Sequence, residues 1–67
     1  MRAHSDQEII ERASAEEKNP KDIQNNSINI TVDMDDEHGT AHTYVVNFSK
    51  DKEGNWKPVE VSELSSL

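Results

Sequence analysis

The chain of 67 residues contains no cysteine, three aromatic residues and two glycines. The absence of cysteine excludes disulfides and thiolate metal sites. Gly39 and Gly54 stand alone in separate polar segments, so no glycine-rich loop is available to bind phosphate. Because 31% of the residues are apolar, the core is thin, and packing alone is expected to supply no more than roughly 3–5 kcal/mol of stability.

Long apolar runs are also missing. None approaches the roughly 20 residues that a membrane-spanning helix needs, and the N-terminal residues lead into a polar segment without the apolar stretch of a signal peptide. We therefore expect a soluble, cytoplasmic protein with one domain over residues 1–67. Low hydropathy with high net charge is also typical of disorder, but here the apolar residues alternate in short runs, which favours folding.

Basic residues are scarce. Seven Lys and Arg stand against fourteen Asp and Glu, which gives a net charge of −7. This balance argues against direct binding to nucleic acid or to anionic lipid, since both need a basic surface. It favours a protein partner with a basic face. The excess is largest in residues 19–49, with one basic and five acidic groups.

The first periodic segment predicts a helix at about residues 6–18. Ser5 and Glu8 have the spacing of a capping box, in which each side chain bonds to the other residue's backbone N–H. The apolar stripe that follows consists of Ile9, Ile10 and Ala13. Pro20 disfavours helical geometry in the residue before it, so the helix should end there. Asn19 and Pro20 are themselves typical of the start of a short second helical turn.

Alternation of apolar and polar residues predicts strands at about 28–34, 42–49 and 56–63. The predicted buried face consists of Ile28, Ile30, Val32, Met34, Tyr44, Val46 and Phe48. Pro58 lacks a backbone donor, so the third strand should lie at a sheet edge or contain a bulge there. The predicted fold is α+β: an N-terminal helix packed on a three-stranded antiparallel β-meander, in the order α-β-β-β.

A candidate partner-binding cluster lies on the third strand and its neighbour. Simple alternation puts Trp56, Pro58 and Leu64 on one side of that strand. An exposed tryptophan at such a place is typical of an interface anchor. The candidate cluster consists of Trp56, Pro58, Val45 and Leu64. The alternative, which the sequence leaves open, is that Trp56 closes the core beside Phe48.

The stretch Tyr44-Val45-Val46-Asn47-Phe48, followed by charged residues, Gly54-Asn55-Trp56-Lys57 and Val59-Glu60-Val61, resembles the closing hairpin of cystatin-like and nuclear-transport-factor-like domains. The resemblance covers roughly residues 44–61. It implies a hairpin there, and it implies neither a site nor an activity. Those folds have a longer curved sheet than this chain can supply.

The acidic stretch after the first strand is a second candidate site. It contains Asp33, Asp35, Asp36 and Glu37. The stretch begins like a calcium loop, but the sixth position holds His38 in place of glycine and the twelfth holds Tyr44 in place of glutamate. We interpret it as a solvated hairpin tip, with weak divalent binding as the alternative. His38 and His42 are too few for a zinc site, and we expect His42 to pair with an acidic neighbour. No metal or cofactor is predicted.

No constellation of catalytic residues is visible. Ser5 is explained as a helix cap, and the other serines have no neighbouring base in a recognisable motif. Carboxylates are abundant, but acid–base catalysis needs a desolvated cleft, for which a chain of this size has little volume. We therefore do not expect an enzyme.

Three hypotheses of function follow, in order of preference. The first is a small protein–protein interaction module or accessory factor that self-associates. Pairing of the third strand with its copy across a two-fold axis would give a homodimer. The second is an acidic inhibitor that imitates the charge of nucleic acid, as in small proteins of phages and mobile elements. Its surface would combine the acidic stretch with the helix acids Glu8, Glu11, Glu16 and Glu17. The third is a metal-responsive module that uses residues 33–42.

Overall fold

The computed structural model describes residues 4–64. Its elements are α1 (Asp6–Ser14), a 3-10 helix (Pro20–Asp22), β1 (Ser27–Asp35), β2 (Ala41–Lys50) and β3 (Trp56–Leu64). The strands form one antiparallel sheet in the order β1-β2-β3, and α1 packs across all three strands. This arrangement confirms the predicted α+β fold with a β-meander. No helix within residues 4–64 is long and apolar enough to cross a membrane.

The helix α1 begins at the predicted capping box. The Ser5 hydroxyl accepts a hydrogen bond from the Glu8 N–H, and the Glu8 carboxylate accepts one from the Ser5 N–H, both at 3.2 Å. Ile9 and Ala13 are fully buried against the sheet. Because a helix this short is marginal by itself, this buried face is what holds α1 in place.

The helix ends at Ser14 and not at residue 18 as predicted. No apolar residue continues the buried stripe beyond Ala13, and Glu16 and Glu17 would place negative charge at the negative end of the helix dipole. Lys18 therefore lies outside the helix, with its Nζ 4.9 Å from the centroid of the Phe48 ring.

The predicted second helical turn is present as the 3-10 helix. The Asn19 side chain accepts a hydrogen bond from the Lys21 N–H at 3.0 Å, and Pro20 occupies the first position. The segment then returns to the core at Ile23, which is partly buried against it.

The core lies between α1 and one face of the sheet. Its buried residues are Ile9, Ala13, Ile28, Ile30, Val32, Tyr44, Val46 and Phe48. The six sheet residues form three pairs across β1 and β2: Ile28 with Phe48, Ile30 with Val46, and Val32 with Tyr44. The alternation read from the sequence therefore has the predicted face inward.

The loop between β1 and β2 is a compact turn built on one carboxylate. Asp36 Oδ1 accepts hydrogen bonds from the N–H groups of His38 and Thr40, at 2.8 and 2.9 Å. The Asp36 carbonyl accepts from the Gly39 N–H at 3.0 Å. Gly39 has φ +81°, a left-handed conformation that suits glycine. These features are typical of a type I turn followed by a glycine bulge.

The loop between β2 and β3 repeats this construction. Asp51 Oδ1 accepts from the N–H groups of Glu53 and Asn55, both at 2.9 Å. The Asp51 carbonyl accepts from the Gly54 N–H at 3.1 Å, and Gly54 has φ +86°. The two loops thus share the pattern Asp-x-x-Gly, which fixes the register of both hairpins.

The strand β3 lies at an edge of the sheet and contains a bulge, as Pro58 predicted. Its pairing with β2 shifts by one residue, because Asn47 lies opposite Glu60 whereas Phe48 lies opposite Pro58. Val59 is the extra residue and is 64% exposed. Trp56, Pro58 and Val61 therefore lie on the helix side of the sheet. Leu64, which simple alternation placed with Trp56 and Pro58, lies on the opposite face.

Candidate functional site

The outer edge of β1 presents unpaired backbone groups in a regular row. Asn26 with Lys50 and Asp36 with Thr40 are hydrogen-bonded pairs at the two ends of the β1–β2 ladder. Bonded pairs recur every second residue in an antiparallel ladder, so the even-numbered residues of β1 bond to β2. The odd-numbered residues therefore direct their N–H and C=O groups away from the sheet.

Three of these odd-numbered residues are consecutive along the edge and have no partner strand among the described residues: Asn29, Thr31 and Asp33. We call this stretch the open β1 edge. Within residues 4–64 no group bonds to their outward N–H and C=O. All three side chains are exposed. Since each residue supplies one donor and one acceptor, the open β1 edge offers a strand-shaped set of hydrogen-bonding groups.

Both ends of the open β1 edge are closed by the chain itself. At the lower end, Gln24 exchanges two backbone hydrogen bonds of 2.8 Å with Ser27. The turn that allows this contains Asn25 and Asn26, both with positive φ. At the upper end, His4 Nε2 donates to the Asp35 carbonyl at 3.0 Å. A partner strand thus has a defined length of free edge between the two closures.

Two shallow cavities flank this edge. The lower cavity, of about 470 Å³, is lined by Asp22, Gln24, Asn25, Ser27, Ile28 and Asn29. The upper cavity, of about 310 Å³, is lined by Arg12, Asp33, Met34 and Asp35. Their charged lining consists of three carboxylates and one guanidinium, so the surface beside the open β1 edge is acidic on balance.

The outer edge of β3 is less suited to pairing. The hydrogen-bonded loop pair Asp51 and Asn55 fixes which β3 residues point outward before the bulge. Pro58 is one of them and has no N–H to donate. Beyond the bulge only Val61 and Glu63 direct both backbone groups outward. Proline and bulges are devices that block pairing at sheet edges.

A cluster of five polar and aromatic side chains lies at the end of the sheet beside the β1–β2 loop. We call it the histidine cluster, and it consists of His4, Asp36, His42, Tyr44 and Glu63. His42 Nε2 is 2.9 Å from Asp36 Oδ2, and His42 Nδ1 is 2.9 Å from Glu63 Oε2. The His42 side chain is only 19% exposed. The predicted pairing of His42 with an acidic neighbour is confirmed, with two partners instead of one.

The electrostatics of this pairing favour a charged imidazolium. Ionised carboxylates only accept hydrogen bonds, so both His42 nitrogens must donate. The pKa of His42 is raised above 6.5, first by the hydrogen bond to Asp36 and then by the one to Glu63. The pKa of Asp36 is lowered from 3.8 to about 2, first by His42 and then by the Thr40 amide.

His4 and Tyr44 complete the cluster. The Tyr44 side chain is fully buried, and its hydroxyl lies 2.9 Å from His4 Nδ1. The His42 ring stacks on the Tyr44 ring at a centroid distance of 6.2 Å, and the His4 ring meets both edge-on. The cluster therefore connects the residue preceding α1, the β1–β2 loop and the end of β3.

The structure separates the residues of the candidate partner-binding cluster. Trp56 and Pro58 lie on the helix side of the sheet, where Trp56 packs against the core and Lys50 Nζ lies 5.3 Å from its ring centroid. Val45 and Leu64 lie on the opposite face, since Val45 pairs with Ser62 and Leu64 with Thr43. These four side chains do not form one surface.

In the acidic stretch, two carboxylates form hydrogen bonds within the chain and the other two face solvent. Asp36 bonds to His42 and to two loop amides, and Asp33 Oδ1 accepts from the Thr43 hydroxyl at 2.7 Å. Asp35 is exposed, and the Glu37 side chain is 87% exposed beside His38. In the described part of the chain, no group of three His, Asp or Glu side chains is arranged to hold a metal ion.

Comparison with protein-family models, with curated proteins and with solved structures finds no match to this chain. The open β1 edge and the histidine cluster are thus the two features of this structure that can indicate a function. The sequence alone predicts only part of each. The alternation of β1 predicted its faces, but whether its edge is free depends on where Gln24 and His4 lie in space.

Proposed function

We propose that this chain is a protein-interaction module that binds an extended segment of a partner protein along the open β1 edge. The observation that carries the proposal is the row of outward backbone groups at Asn29, Thr31 and Asp33, bounded at both ends. An added strand would satisfy these groups by β-augmentation, in which backbone hydrogen bonds provide affinity and side-chain pockets provide selectivity.

The partner segment that fits this edge is short, extended and basic. Asp22 lines the lower cavity, and Asp33 and Asp35 line the upper one beside a single arginine, Arg12. A Lys or Arg of the partner reaching either cavity would meet carboxylates. The net charge of −7 would also speed the approach of a basic partner.

Self-association through β1 is disfavoured by the closures of its edge. In a two-fold pairing centred on Thr31, Asp35 of one copy would face Ser27 of the other. The outward groups of Ser27 are already bonded to Gln24, so the second copy would have to displace that turn. A partner with a free extended segment avoids this conflict.

A homodimer through β3 is the second candidate. The observation that favours it is the segment after the bulge, where Val61 and Glu63 point their backbone groups outward and Leu64 is 48% exposed. Such a dimer would use few hydrogen bonds. Sedimentation of the protein with Leu64→Lys as the variant tests it, since a β3 dimer should dissociate and a module that binds through β1 should be unaffected.

The acidic-mimic hypothesis has less support. Imitation of a phosphate row needs carboxylates that face solvent together. Asp36 and Asp33 are each engaged within the chain. Asp33 is nevertheless exposed, as are Asp35 and Glu37. The other acids of this hypothesis, Glu8, Glu11, Glu16 and Glu17, are exposed in and after α1. Arg12 and Lys18 lie among those acids and interrupt a row of negative charge.

The experiment is selection of short random peptides from a displayed library against the wild-type protein, followed by binding tests on two variants. Thr31→Pro removes the outward N–H while leaving the ladder to β2 intact, because Thr31 does not bond to β2. Thr31→Val changes the side chain and keeps the N–H. We expect selected peptides to be basic, to bind Thr31→Val and to lose binding to Thr31→Pro. Retained binding to a folded Thr31→Pro variant would contradict the proposal.

A further inference from the structure

We propose that His42 is a proton-operated clamp: its imidazolium form fastens the end of β3 to the β1–β2 loop, and its neutral form releases Glu63 and opens that end of the sheet. The proposal is independent of partner binding at the open β1 edge. It concerns the opposite edge of β2, which β3 covers.

The geometry provides the first argument. Asp36 belongs to the β1–β2 loop, His42 to β2 and Glu63 to β3, so the two 2.9 Å hydrogen bonds join three separate elements. A neutral imidazole has one donor nitrogen. On deprotonation, one of the two carboxylates must therefore face a lone pair in place of an N–H.

Glu63 is the carboxylate that is released. Asp36 is held by two further hydrogen bonds, from the amides of His38 and Thr40, and its side chain is 16% exposed. The Glu63 side chain is 28% exposed and is bonded to His42. The weaker anchor is thus the one at the end of the edge strand, where strands fray first.

The other titratable groups around His42 do not take over its hydrogen bonds to Asp36 and Glu63. The titratable groups that face it are Asp36 from the loop, Glu63 from β3, Tyr44 from β2 and His4 from the segment before α1. His4 donates to the Asp35 carbonyl and lies beside the Tyr44 hydroxyl, so its nitrogens are directed away from the two carboxylates. His42 is therefore the donor on which the link between Asp36 and Glu63 depends.

Opening has a defined structural consequence. Leu64 lies opposite Thr43 in the β2–β3 ladder, directly after Glu63. When Glu63 is released, the Thr43–Leu64 pair loses its anchor and the backbone groups of Thr43 become accessible. The clamp would thus add a second, pH-dependent stretch of free sheet edge to this molecule.

The test combines a histidine titration with amide hydrogen exchange by NMR on the full chain. The wild-type His42 ring should titrate with a midpoint above 6.5. Protection of the Thr43 and Leu64 amides, corrected for intrinsic exchange, should fall through the same midpoint. Opening releases Glu63 but leaves Asp36 paired with His42. By linkage, the total fold-loss of protection should therefore equal ten raised to the difference between the wild-type midpoint and the lower midpoint of Glu63→Gln. The amide of Val46, in the centre of the sheet, should not respond.

Two variants and a matched control complete the design. His42→Gln should show low protection of Thr43 and Leu64 at every pH, without a step. Glu63→Gln should lower the His42 midpoint and reduce the pH-dependent change in protection. This variant provides the test if His42→Gln does not fold. His38→Gln is the control, since this histidine of the adjacent loop has a side chain that is 79% exposed and should leave the step unchanged. A His42 midpoint at or below 6.5, or protection that does not change through it, would overturn the proposal.

Discussion

At the scale of single residues, Trp56 is explained by the core of this protein and not by an interface. It packs against the buried cluster and lies under the Lys50 ammonium group. Its indole covers the end of the core, so its removal exposes apolar surface. Partner binding at the open β1 edge does not involve Trp56. A substitution of Trp56 should therefore change the stability of the fold.

We predict that Trp56→Ala lowers the free energy of unfolding by about 2 kcal/mol, less than for a fully buried tryptophan. Lys57→Ala, at the exposed neighbouring position, should change it by less than about 0.5 kcal/mol. Urea denaturation followed by circular dichroism measures both. Equal stabilities of the two variants would show that Trp56 is not part of the core.

The residue pair His42 and Asp36 predicts the pH dependence of stability. The pKa of His42 is raised in the folded state, so its contribution is complete below 6.5 and is lost as pH rises through the raised value. The pKa of Asp36 is lowered to about 2, so its contribution is present above 3.8 and is lost as pH falls toward 2. Stability should therefore be highest between pH 3.8 and 6.5 as far as these two groups determine it.

Thermal melts at a series of pH values check this prediction. The wild type should lose stability as pH rises above the plateau, and His42→Gln should lose most of that dependence. His38→Gln should retain it. A wild-type melting temperature that rises as the pH increases above 6.5 would contradict the stabilising role of the His42 imidazolium.

At the scale of elements, the two hairpin loops make a paired prediction. Gly39 and Gly54 both have positive φ, and a methyl group built at either position meets no atom within 4 Å. Substitution by alanine should therefore cost only backbone strain, about 1 kcal/mol at each site. Asparagine, which tolerates this conformation, should cost less than alanine at both.

Urea denaturation of Gly39→Ala, Gly54→Ala and the two asparagine variants tests the loop prediction. Similar costs at the two positions are expected because the loops share one construction. If alanine were as stable as glycine at both positions, the left-handed conformation described for these residues would be wrong.

Elements also show what the sequence could and could not predict. The strands β1 and β2 were placed correctly because their alternation reflects burial on one face, which is a local property. In β3 the grouping of Leu64 with Trp56 and Pro58 on one side was wrong, since the bulge at Val59 inserts one residue and alternation cannot be counted through it. Pro58 predicted an edge strand or a bulge, but it did not predict how the bulge shifts the pairing of β3 with β2.

The helix and the candidate site show the same limit. The capping box placed the start of α1, whereas its end depended on where the apolar contacts with the sheet stop, after Ala13. The pairing of His42 with a carboxylate was foreseen, but Glu63 is distant in sequence and meets it only through the meander. The shared Asp-x-x-Gly pattern of the loops was present in the sequence and could have predicted both turns.

At the scale of the whole molecule, the small core gives little stability, and a partner strand bound at the open β1 edge would increase it. Eight apolar residues are buried among those described, and a chain of this size has little stability in reserve. A partner strand that binds only the folded state would add to that stability by mass action. We therefore expect a selected peptide to raise the melting temperature of the wild type in proportion to the logarithm of its concentration.

A calorimetric series at increasing peptide concentration measures this effect, with Thr31→Pro as the control that should show no shift. An equal shift for both proteins would place the peptide elsewhere on the molecule.

Amide hydrogen exchange with and without the selected peptide tests whether a partner strand adds to the open β1 edge. We expect new protection at the outward amides of Asn29, Thr31 and Asp33. The amides of Ile30 and Val32, which already bond to β2, provide the internal reference. New protection confined to Val61 and Glu63 of β3, or absent from all five outward amides, would contradict it.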